Sequence, residues 1–307
     1  MENNAMLINQ EATNLALRRK ARKAKIGKIA ANAFIYFVLL LMYLPIIYIT
    51  IFSFTDSPIA GKWVGFSFNN YVELFDLDVY ESSMIWTAAR NTALVAVTAA
   101  AISTILGTLG AIGIYYLRRR WKKNVLDFMT QIPVVNAEVV TAIALVALYE
   151  FISRFLFTIP LSFVTLVIGH VVISIPYVVL SVGPKLEQMD SSLYEAAMDL
   201  GATQTQALWK VVIPDILPGI LSGFLLSITL SLDDYVVTVF NRPKNNGTFH
   251  TISTYVDSVT KRSALPTQLR AFTAILFVVI LIVMIVMNVK SHRNSRENLK
   301  KEKKKND

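Results

Sequence analysis

The sequence predicts an all-α membrane protein with six transmembrane helices, and three observations support this fold class. Apolar residues of the set AVILMFWYC make up 54% of the 307 residues, charged residues only 17%, and the mean hydropathy is +0.50. Soluble domains contain roughly 45–50% apolar and about 25% charged residues. The apolar residues form runs of about 20 residues, and basic residues flank those runs. The composition also excludes a disordered or collagen-like chain.

Runs of predominantly apolar residues, each long enough to cross a hydrocarbon core of about 30 Å, define the predicted spans. The first, second and sixth carry no formal charge, whereas the fourth contains His170 and is expected to bend at Pro176. Glu138 interrupts the third, and Asp233 and Asp234 interrupt the fifth. The six predicted spans are 29–55, 91–117, 128–149, 155–184, 216–240 and 271–289.

Basic residues at the two ends of the chain predict that both termini are cytoplasmic. An even number of spans places the termini on one side, and most of the 30 Lys and Arg residues then fall in inside segments. We assign 1–28 and 290–307 as basic tails that lie beside anionic lipid. A signal peptide is the alternative for the first span, but its apolar run is far longer than the roughly 7–15 residues of a signal sequence.

The charge and the cysteine content exclude several other classes of protein. A net charge of +9 would suit a nucleic-acid-binding protein, but the charges crowd the two ends of a membrane domain, so we expect no nucleic-acid partner. The chain has no cysteine, which excludes disulfides, Cys-ligated zinc, iron–sulfur clusters and a thiol nucleophile.

The second span has small residues at every fourth position, namely Ser103, Gly107 and Ala111. This spacing lets neighbouring membrane helices approach closely. We therefore expect this face to pack against another helix of the bundle.

The polar loop 185–215 between the fourth and fifth spans predicts two short helices that form an elbow. Apolar residues recur at helical spacing in its first half, and Ser191 or Ser192 is a plausible N-cap. Gly201 should end this helix, and a second should run from near Thr203 to about Val212, before two prolines. The spaced apolar residues, which lack partners within the loop, are Leu193, Ala196, Ala197 and Leu200.

A spaced motif in this loop resembles the EAA loop (EAA-x3-G-x9-I-x-L-P) of ABC-type importer permeases. The matching residues are Glu195, Ala196, Ala197, Gly201, Val211, Ile213 and Pro214, with Val for Ile and Ile for Leu as the departures. The resemblance implies the architecture of a type I ABC importer permease. It also implies that the elbow, called the coupling helix, docks on a separate ATPase subunit and transmits its closure to the membrane helices.

Two further stretches are similar to the spermidine/putrescine branch of that family. One is Tyr43-Leu44-Pro45-Ile46 to Ser53-Phe54 with Trp63 and the following outer segment; the other is Thr229 to Asp234 with Val236, Val237 and Phe240. This similarity implies a small cationic solute, a polyamine such as spermidine or putrescine, as the substrate. Iron and thiamine permeases share much of the scaffold and remain alternatives.

The chain lacks the phosphate-binding loop G-x-x-x-x-G-K-[ST], so ATP and Mg²⁺ are expected on a partner subunit and no cofactor in this chain. The resemblance implies a transport subunit, not an enzyme, in the inner membrane of a prokaryote. Its implied partners are a second permease, ATP-binding subunits on the 185–215 loop, and an extracytoplasmic substrate-binding protein. A short amphipathic helix that includes Ile252 and Tyr255 is expected under that protein.

Acids inside membrane spans are costly and are candidates for function by default. At about 1.5 Å per residue, Glu138 lies about 15 Å into the third span, and Asp233 about 26 Å into the fifth. We predict a substrate site formed by Asp233, Asp234 and Glu138, with the ring of Tyr235 beside an ammonium group. Either Asp could instead cap a helix, and the sequence does not decide which one faces the pathway.

The third and fourth predicted spans lead to two further predictions, one on helix regularity and one on His170. Pro133, Asn136 and Glu138 suggest that the third span is interrupted, which is tolerated where backbone lines a cavity. His170 has no second His or Cys at metal-ligand spacing, so we interpret it as a hydrogen-bonded residue of the bundle and expect no metal site.

Two other functions are compatible with buried acids. An intramembrane aspartyl protease needs two facing carboxylates, but Asp233 and Asp234 are neighbours that point about 100° apart on a helix. A proton-coupled secondary transporter would use such acids, yet it leaves the elbow loop without a role.

Overall fold

The protein is described by a computed structural model, which covers residues 2–59, 61–117, 119–243, 249–261, 265–282 and 285–286. Every regular element in these ranges is helical. The chain divides into two compact units, residues 1–77 with 265–307, and residues 78–264. The helices are α1 Glu2–Phe52, α2 Asn69–Phe75, α3 Tyr80–Tyr115, α4 Arg120–Val135, α5 Glu138–Phe155, α6 Phe163–Gln188, α7 Ser191–Asp199, α8 Gln204–Ala207, α9 Ile213–Asp233, α10 Val236–Asn241, α11 Ile252–Thr260 and α12 Thr267–Ile282.

The first unit contains α1, α2 and α12. From Ile29 onward, the apolar side chains of α1 are largely exposed around the helix, as expected for a helix that faces lipid. Buried polar side chains fix the turn after α1: the Asn70 amide donates to the carbonyls of Ser53 and Thr55, both at 2.9 Å. The Arg270 guanidinium of α12 donates to the Ser57 carbonyl at 2.9 Å. These bonds join the end of α1 to α12 within this unit.

The core of the second unit is formed by α3, α6 and α9, and the predicted packing of the small residues on α3 is confirmed. A Cβ atom added to Gly107 would lie 2.6 Å from the Cβ of Val178, so the α3 and α6 backbones approach closely here. Ser103 and Ala111 on the same stripe are buried. Gly223 of α9 approaches Val178 from the other side. Small residues on α3 and α9 therefore let these two helices pack closely against α6.

Four helical stretches are long and apolar enough to cross a membrane: Gly27–Phe52, Tyr80–Tyr115, Phe163–Gln188 and Gln204–Asp233. A fifth is possible if the bent pair Trp121–Val135 and Glu138–Phe155 is one span. The apolar helix α12 is shorter within the described residues, which include only part of the predicted sixth span. The predicted basic tail 290–307 lies outside the described residues.

The third predicted span, 128–149, is divided between α4 and α5, which meet at an angle of 105°. Asn136 and Ala137 both adopt extended backbone conformations between the two helices. Pro133 weakens the preceding turn because it has no N–H and its ring crowds a carbonyl one turn earlier. The predicted irregularity is thus present, and it places Glu138 at the first position of α5.

Other helix boundaries also differ from the predicted spans. The helix α3 begins at Tyr80, well before position 91. The helix α6 begins at Phe163 instead of position 155, because Pro160 disfavours helix before it and Ser162 forms a capping box with Thr165. It continues through Pro176 to Gln188. The segment 216–240 is split, since α9 ends at Asp233 and α10 follows.

The amphipathic helix predicted after the fifth span is present as α11, Ile252–Thr260. Its start is fixed by a capping box between Thr251 and Thr254, and the Ile252 amide donates to the Thr92 hydroxyl of α3 at 2.9 Å. Tyr255 is buried in this packing. The helix α11 is therefore attached to the N-terminal half of α3, and its Ser253 hydroxyl reaches the Asp234 carbonyl at the break that follows α9.

Candidate functional site

The first candidate site is the helix break between α9 and α10, which begins at the two predicted acids. Asp234 leaves the helical conformation, with φ −64° and ψ 128°, and its side chain caps α10. One carboxylate oxygen accepts from the Val237 amide at 3.2 Å; the other accepts from the Thr238 amide and the Thr238 hydroxyl, each at 2.9 Å. Asp234 is only 6% exposed. Its charge is therefore used within the protein to satisfy the N-terminus of α10.

His170 of α6 joins the two sides of this break. Its Nδ1 atom lies 2.9 Å from the Ser231 hydroxyl of α9, and its Nε2 atom lies 3.1 Å from the Thr238 hydroxyl of α10. The Thr238 hydroxyl donates to Asp234, so it must accept from the N–H of His170 Nε2. The Nδ1 atom pairs with the Ser231 hydroxyl. His170 is fully buried, and its Nε2 atom also lies 3.6 Å from a carboxylate oxygen of Asp234.

The interpretation of His170 as a hydrogen-bonded bundle residue is thus confirmed. Among the residues that the structure describes, no group of three His, Cys, Asp or Glu side chains is arranged to hold a metal ion.

Asp233 differs from its neighbour, because it is exposed at the last position of α9. The final carbonyl groups of an α-helix lack partners within the helix and carry partial negative charge. The Asp233 carboxylate therefore adds a full negative charge to a helix end that already favours cations. The two adjacent acids have different surroundings, one capping α10 from within and one at the surface of the isolated chain.

Glu138 is brought into the same region. It is the exposed first residue of α5, and it lies within electrostatic range of both Asp233 and Asp234. The helix α5, which begins at Glu138, packs against α6 and α10 beside the break through a small cluster of Ala142, Ile173 and Val237. All three predicted acids thus stand at helix ends in one neighbourhood. Such ends are the positions where broken membrane helices bind ions and charged substrates.

Tyr235 follows the acids but is directed toward α11. Its half-buried side chain lies near Asp257, which pairs with Lys261 at 2.8 Å. The Lys261 ammonium lowers the pKa of the Asp257 carboxyl through this bond. The Ser253 hydroxyl of α11 donates to the Asp234 carbonyl at 2.9 Å. These contacts place Tyr235 with the covering helix α11, while Asp233 and Glu138 lie on the other helices.

The second candidate site is the elbow after α6. The first helix, α7, contains Glu195, Ala196 and Ala197. Its N-cap is Asp190 and not the predicted Ser191 or Ser192, because the Asp190 carboxylate accepts from the Ser192 amide at 2.9 Å. This backbone hydrogen bond lowers the pKa of Asp190. An aspartate is an equally good cap and carries charge that suits a helix N-terminus.

The predicted end of α7 at Gly201 is confirmed. Gly201 has a φ of +84°, which places it in the left-handed region that favours glycine. Its amide donates to the Met198 carbonyl at 2.9 Å, and the Ala202 amide donates to the Ala197 carbonyl at 3.1 Å. These two bonds close the last turn and direct the chain into the second half of the elbow.

The second half of the elbow does not end before Pro214, so this part of the prediction is wrong. The helix α8 begins after the Thr203 cap, which forms a capping box with Gln206, and a π-helical turn, Leu208–Val212, joins it to α9. Pro214 and Pro218 then lie within the first turns of α9. The wider π turn alters the hydrogen-bond register just before Pro214, which is how a helix accommodates a proline.

One side of the elbow is anchored to the bundle, and the other is exposed. Val212 is fully buried in a cluster with Leu186 of α6. The rings of Tyr194 and Tyr116 lie 5.4 Å apart, which ties α7 to the end of α3. Three large apolar side chains remain exposed, with Leu200 at 89%. We call these the elbow surface: Leu193, Leu200 and Trp209.

The remaining motif residues differ in exposure. Glu195, Ala196, Gly201 and Pro214 are exposed, whereas Ala197, Val211 and Ile213 are partly buried. The apolar motif residues Val211 and Ile213 therefore support the base of the elbow, and the exposed ones lie where a partner can reach them.

This combination defines the class of the protein: an all-helical membrane protein with interrupted helices and a loop that exposes apolar side chains. The chain belongs to the family described as "binding-protein-dependent transport system inner membrane component", which matches residues 103–296. It is accordingly a multi-pass inner-membrane transport component and not an enzyme.

The relatives are consistent with this family. The chain is 38% identical over 209 residues to the spermidine/putrescine transport system permease protein PotC of Haemophilus influenzae, covering 68% of this chain and 77% of that protein. It is 33% identical over 200 residues to the putrescine transport system permease protein PotI of Escherichia coli, covering 65% and 69%. A bacterial ABC transporter structure involved in the import of alginate shares the fold, with a TM-score of 0.60, 17% identity and coverage of 88% of this chain and 97% of that one.

Proposed function

We propose that this chain is a permease subunit of an ATP-driven importer and forms part of the translocation pathway for a polyamine. The observation that carries the proposal is the exposed Asp233 carboxylate at the end of α9, within electrostatic range of Glu138. The names of the relatives PotC and PotI support spermidine or putrescine as the transported solute.

The chemistry of a polyamine fits these residues. Its ammonium groups are spaced along an apolar chain, so a pathway for it needs separated negative groups and apolar surface between them. Asp233 and Glu138 would supply the charges, and the end of α9 would supply carbonyl oxygens. The helices around them are apolar. Asp234 is proposed to contribute through the helix break and Tyr235 through its contact with α11, not by direct binding.

The elbow supports an ATPase as the partner on the inner side. Its exposed face combines the motif residues Glu195 and Ala196 with the apolar elbow surface, and its other face is anchored on α6 and α3. A force applied to α7 would therefore reach the membrane helices directly. We propose that ATP-binding subunits dock on the 185–215 loop and that they hold ATP and Mg²⁺.

The remaining partners and the orientation follow from the same proposal. A second permease would complete the pathway, and an extracytoplasmic binding protein would deliver the solute above α11. Both termini are proposed to be cytoplasmic, in the inner membrane of a prokaryote, because basic residues flank the first and last apolar segments.

Uptake by the reconstituted complete transporter tests this function. Proteoliposomes with ATP inside should accumulate labelled putrescine and spermidine, and a proton ionophore should have no effect. Uptake that needs no ATP and is abolished by the ionophore would make the chain a secondary transporter. ATP-dependent uptake of ferric iron or thiamine without polyamine uptake would reject the polyamine assignment while keeping the permease class.

A further inference from the structure

We propose that His170 is a positioning residue for the translocation site: its imidazole holds the break between α9 and α10, and the break presents the Asp233 carboxylate at the end of α9. This inference rests on the proposed function, because it assigns Asp233 as the acid that meets the cation. His170 itself is buried and does not touch the substrate.

The residues at the break account for it only in part: Asp234 caps α10, but no helix-breaking residue lies nearby. Positions 224–241 contain neither proline nor glycine, the two residues that usually interrupt a helix. A continuous helix through Asp234 would keep all its backbone hydrogen bonds, which matters in an apolar span. We therefore infer that contacts from outside the segment add to the Asp234 cap in favouring the interrupted form.

The contacts that His170 makes are placed to do this. It is the residue of α6 that bonds both Ser231, before the break, and Thr238, after it. The Thr238 hydroxyl in turn donates to Asp234, so the hydrogen bonds form one continuous series from α9 through α6 to α10. We call this series the histidine clamp: Ser231, His170, Thr238 and Asp234.

Close packing next to His170 makes the clamp sensitive to distance. A Cβ atom added to Gly169 would lie 2.6 Å from Cγ1 of Val237, so α10 lies directly against α6. With α10 held there, α9 can extend no further than Asp233. If α9 were one residue longer, its end would lie at Asp234 and no longer at the Asp233 carboxylate. Because each residue turns the helix by about 100°, this carboxylate would then point in a different direction from the helix end.

The variants for the test remove the clamp in steps. His170→Phe keeps a ring and removes both nitrogen atoms, whereas Ser231→Ala and Thr238→Val each remove one hydroxyl. Ser227→Ala is the matched control, because Ser227 is a buried hydroxyl one turn earlier on α9 and has no hydrogen-bond partner in the described part of the chain.

The measurement is ATP-dependent uptake of labelled spermidine and putrescine by the complete transporter at saturating loaded binding protein. We expect His170→Phe to lower spermidine uptake about tenfold or more, comparable with Asp233→Asn. Both variants should also lower the ratio of spermidine uptake to putrescine uptake. Ser231→Ala and Thr238→Val should have smaller effects, and Ser227→Ala should match the wild type. General damage to the fold would instead lower the uptake of both solutes by the same factor.

The double variant decides between positioning and an independent role. If His170 acts through Asp233, Asp233→Asn with His170→Phe should be no worse than Asp233→Asn alone. Effects that multiply would overturn the inference. If His170→Phe fails to assemble, the same comparison with Ser231→Ala decides it. If Asp233→Asn alone leaves uptake unchanged, the proposed site fails, which is a separate outcome from failure of the clamp.

Discussion

The carboxylate of Asp234 is buried under three hydrogen bonds from Val237 and Thr238, whereas the carboxylate of its neighbour Asp233 is exposed at the end of α9. Two consecutive acids thus have different roles: Asp234 stabilises the helix break, and Asp233 is exposed by it. Substitutions at the two positions should therefore have different consequences.

Asp234→Asn should destabilise the protein, because an amide has one acceptor oxygen and no charge for the start of α10. The loss of charge-assisted hydrogen bonds at a buried cap costs about 1–3 kcal/mol. Thermal unfolding of the purified complex measures this, with Asp233→Asn as the matched control that should unfold like the wild type. Equal unfolding temperatures for both variants would contradict the assignment of Asp234 as a cap.

Gly201→Val should separate ATP hydrolysis from transport. At a φ of +84°, a β-branched residue is strained, although a Cβ atom would meet nothing within 4 Å, so the effect is conformational and not steric. We expect assembled complexes whose ATPase activity no longer responds to loaded binding protein. Gly201→Asn is the control, because asparagine tolerates this conformation. Normal coupling in the valine variant would show that the bend at Gly201 is not needed.

Leu200→Glu should weaken association with the ATPase without unfolding the chain, since this side chain is almost fully exposed. A charge at the centre of an apolar docking surface is costly to bury. Co-purification of the ATPase subunits measures the effect. Val64→Glu, at an exposed position of the other unit, is the matched control and should retain them. Full ATPase retention by Leu200→Glu would place the docking surface elsewhere.

Gly107→Ala should destabilise the α3–α6 seam, because the new Cβ atom would lie 2.6 Å from Val178. Overpacking of this kind typically costs about 1–3 kcal/mol. Gly113→Ala, on the same helix, meets nothing within 4 Å and should be neutral or slightly stabilising. The measurement is the thermal unfolding of the two variants side by side. A Gly107→Ala protein that unfolds at the wild-type temperature would mean that α3 and α6 move apart at little cost.

Much of this fold could be predicted from the sequence, because the signals are local. Uncharged apolar runs give the long helices, the spacing of Ser103, Gly107 and Ala111 gives the tight seam, and Gly201 gives the end of α7. Pro133 and Asn136 also revealed an irregular third span. Its 105° bend depends on backbone angles at two residues, which a span prediction does not contain.

The features that sequence reasoning missed depend on contacts between distant segments. Ser231, Thr238 and Ser253 have no unusual spacing, and His170 lies on a helix some 60 residues away in the chain. A local signal did exist for Asp234, since an aspartate just before the first turn of a helix is a common cap. The continuation of the helix through Pro214 was missed because the preceding π turn has no simple sequence signature.

The central claim is that Asp233 is the cation-facing acid of a polyamine pathway, and charge removal at this position tests it most directly. ATP-driven spermidine uptake by the complete transporter should be compared for wild type, Asp233→Asn and the control Glu150→Gln, an exposed acid at the far end of α5. Loss of a carboxylate–ammonium contact worth about 1.5–3 kcal/mol should lower uptake roughly 10- to 150-fold in Asp233→Asn alone. Wild-type uptake by an assembled Asp233→Asn transporter would contradict the account.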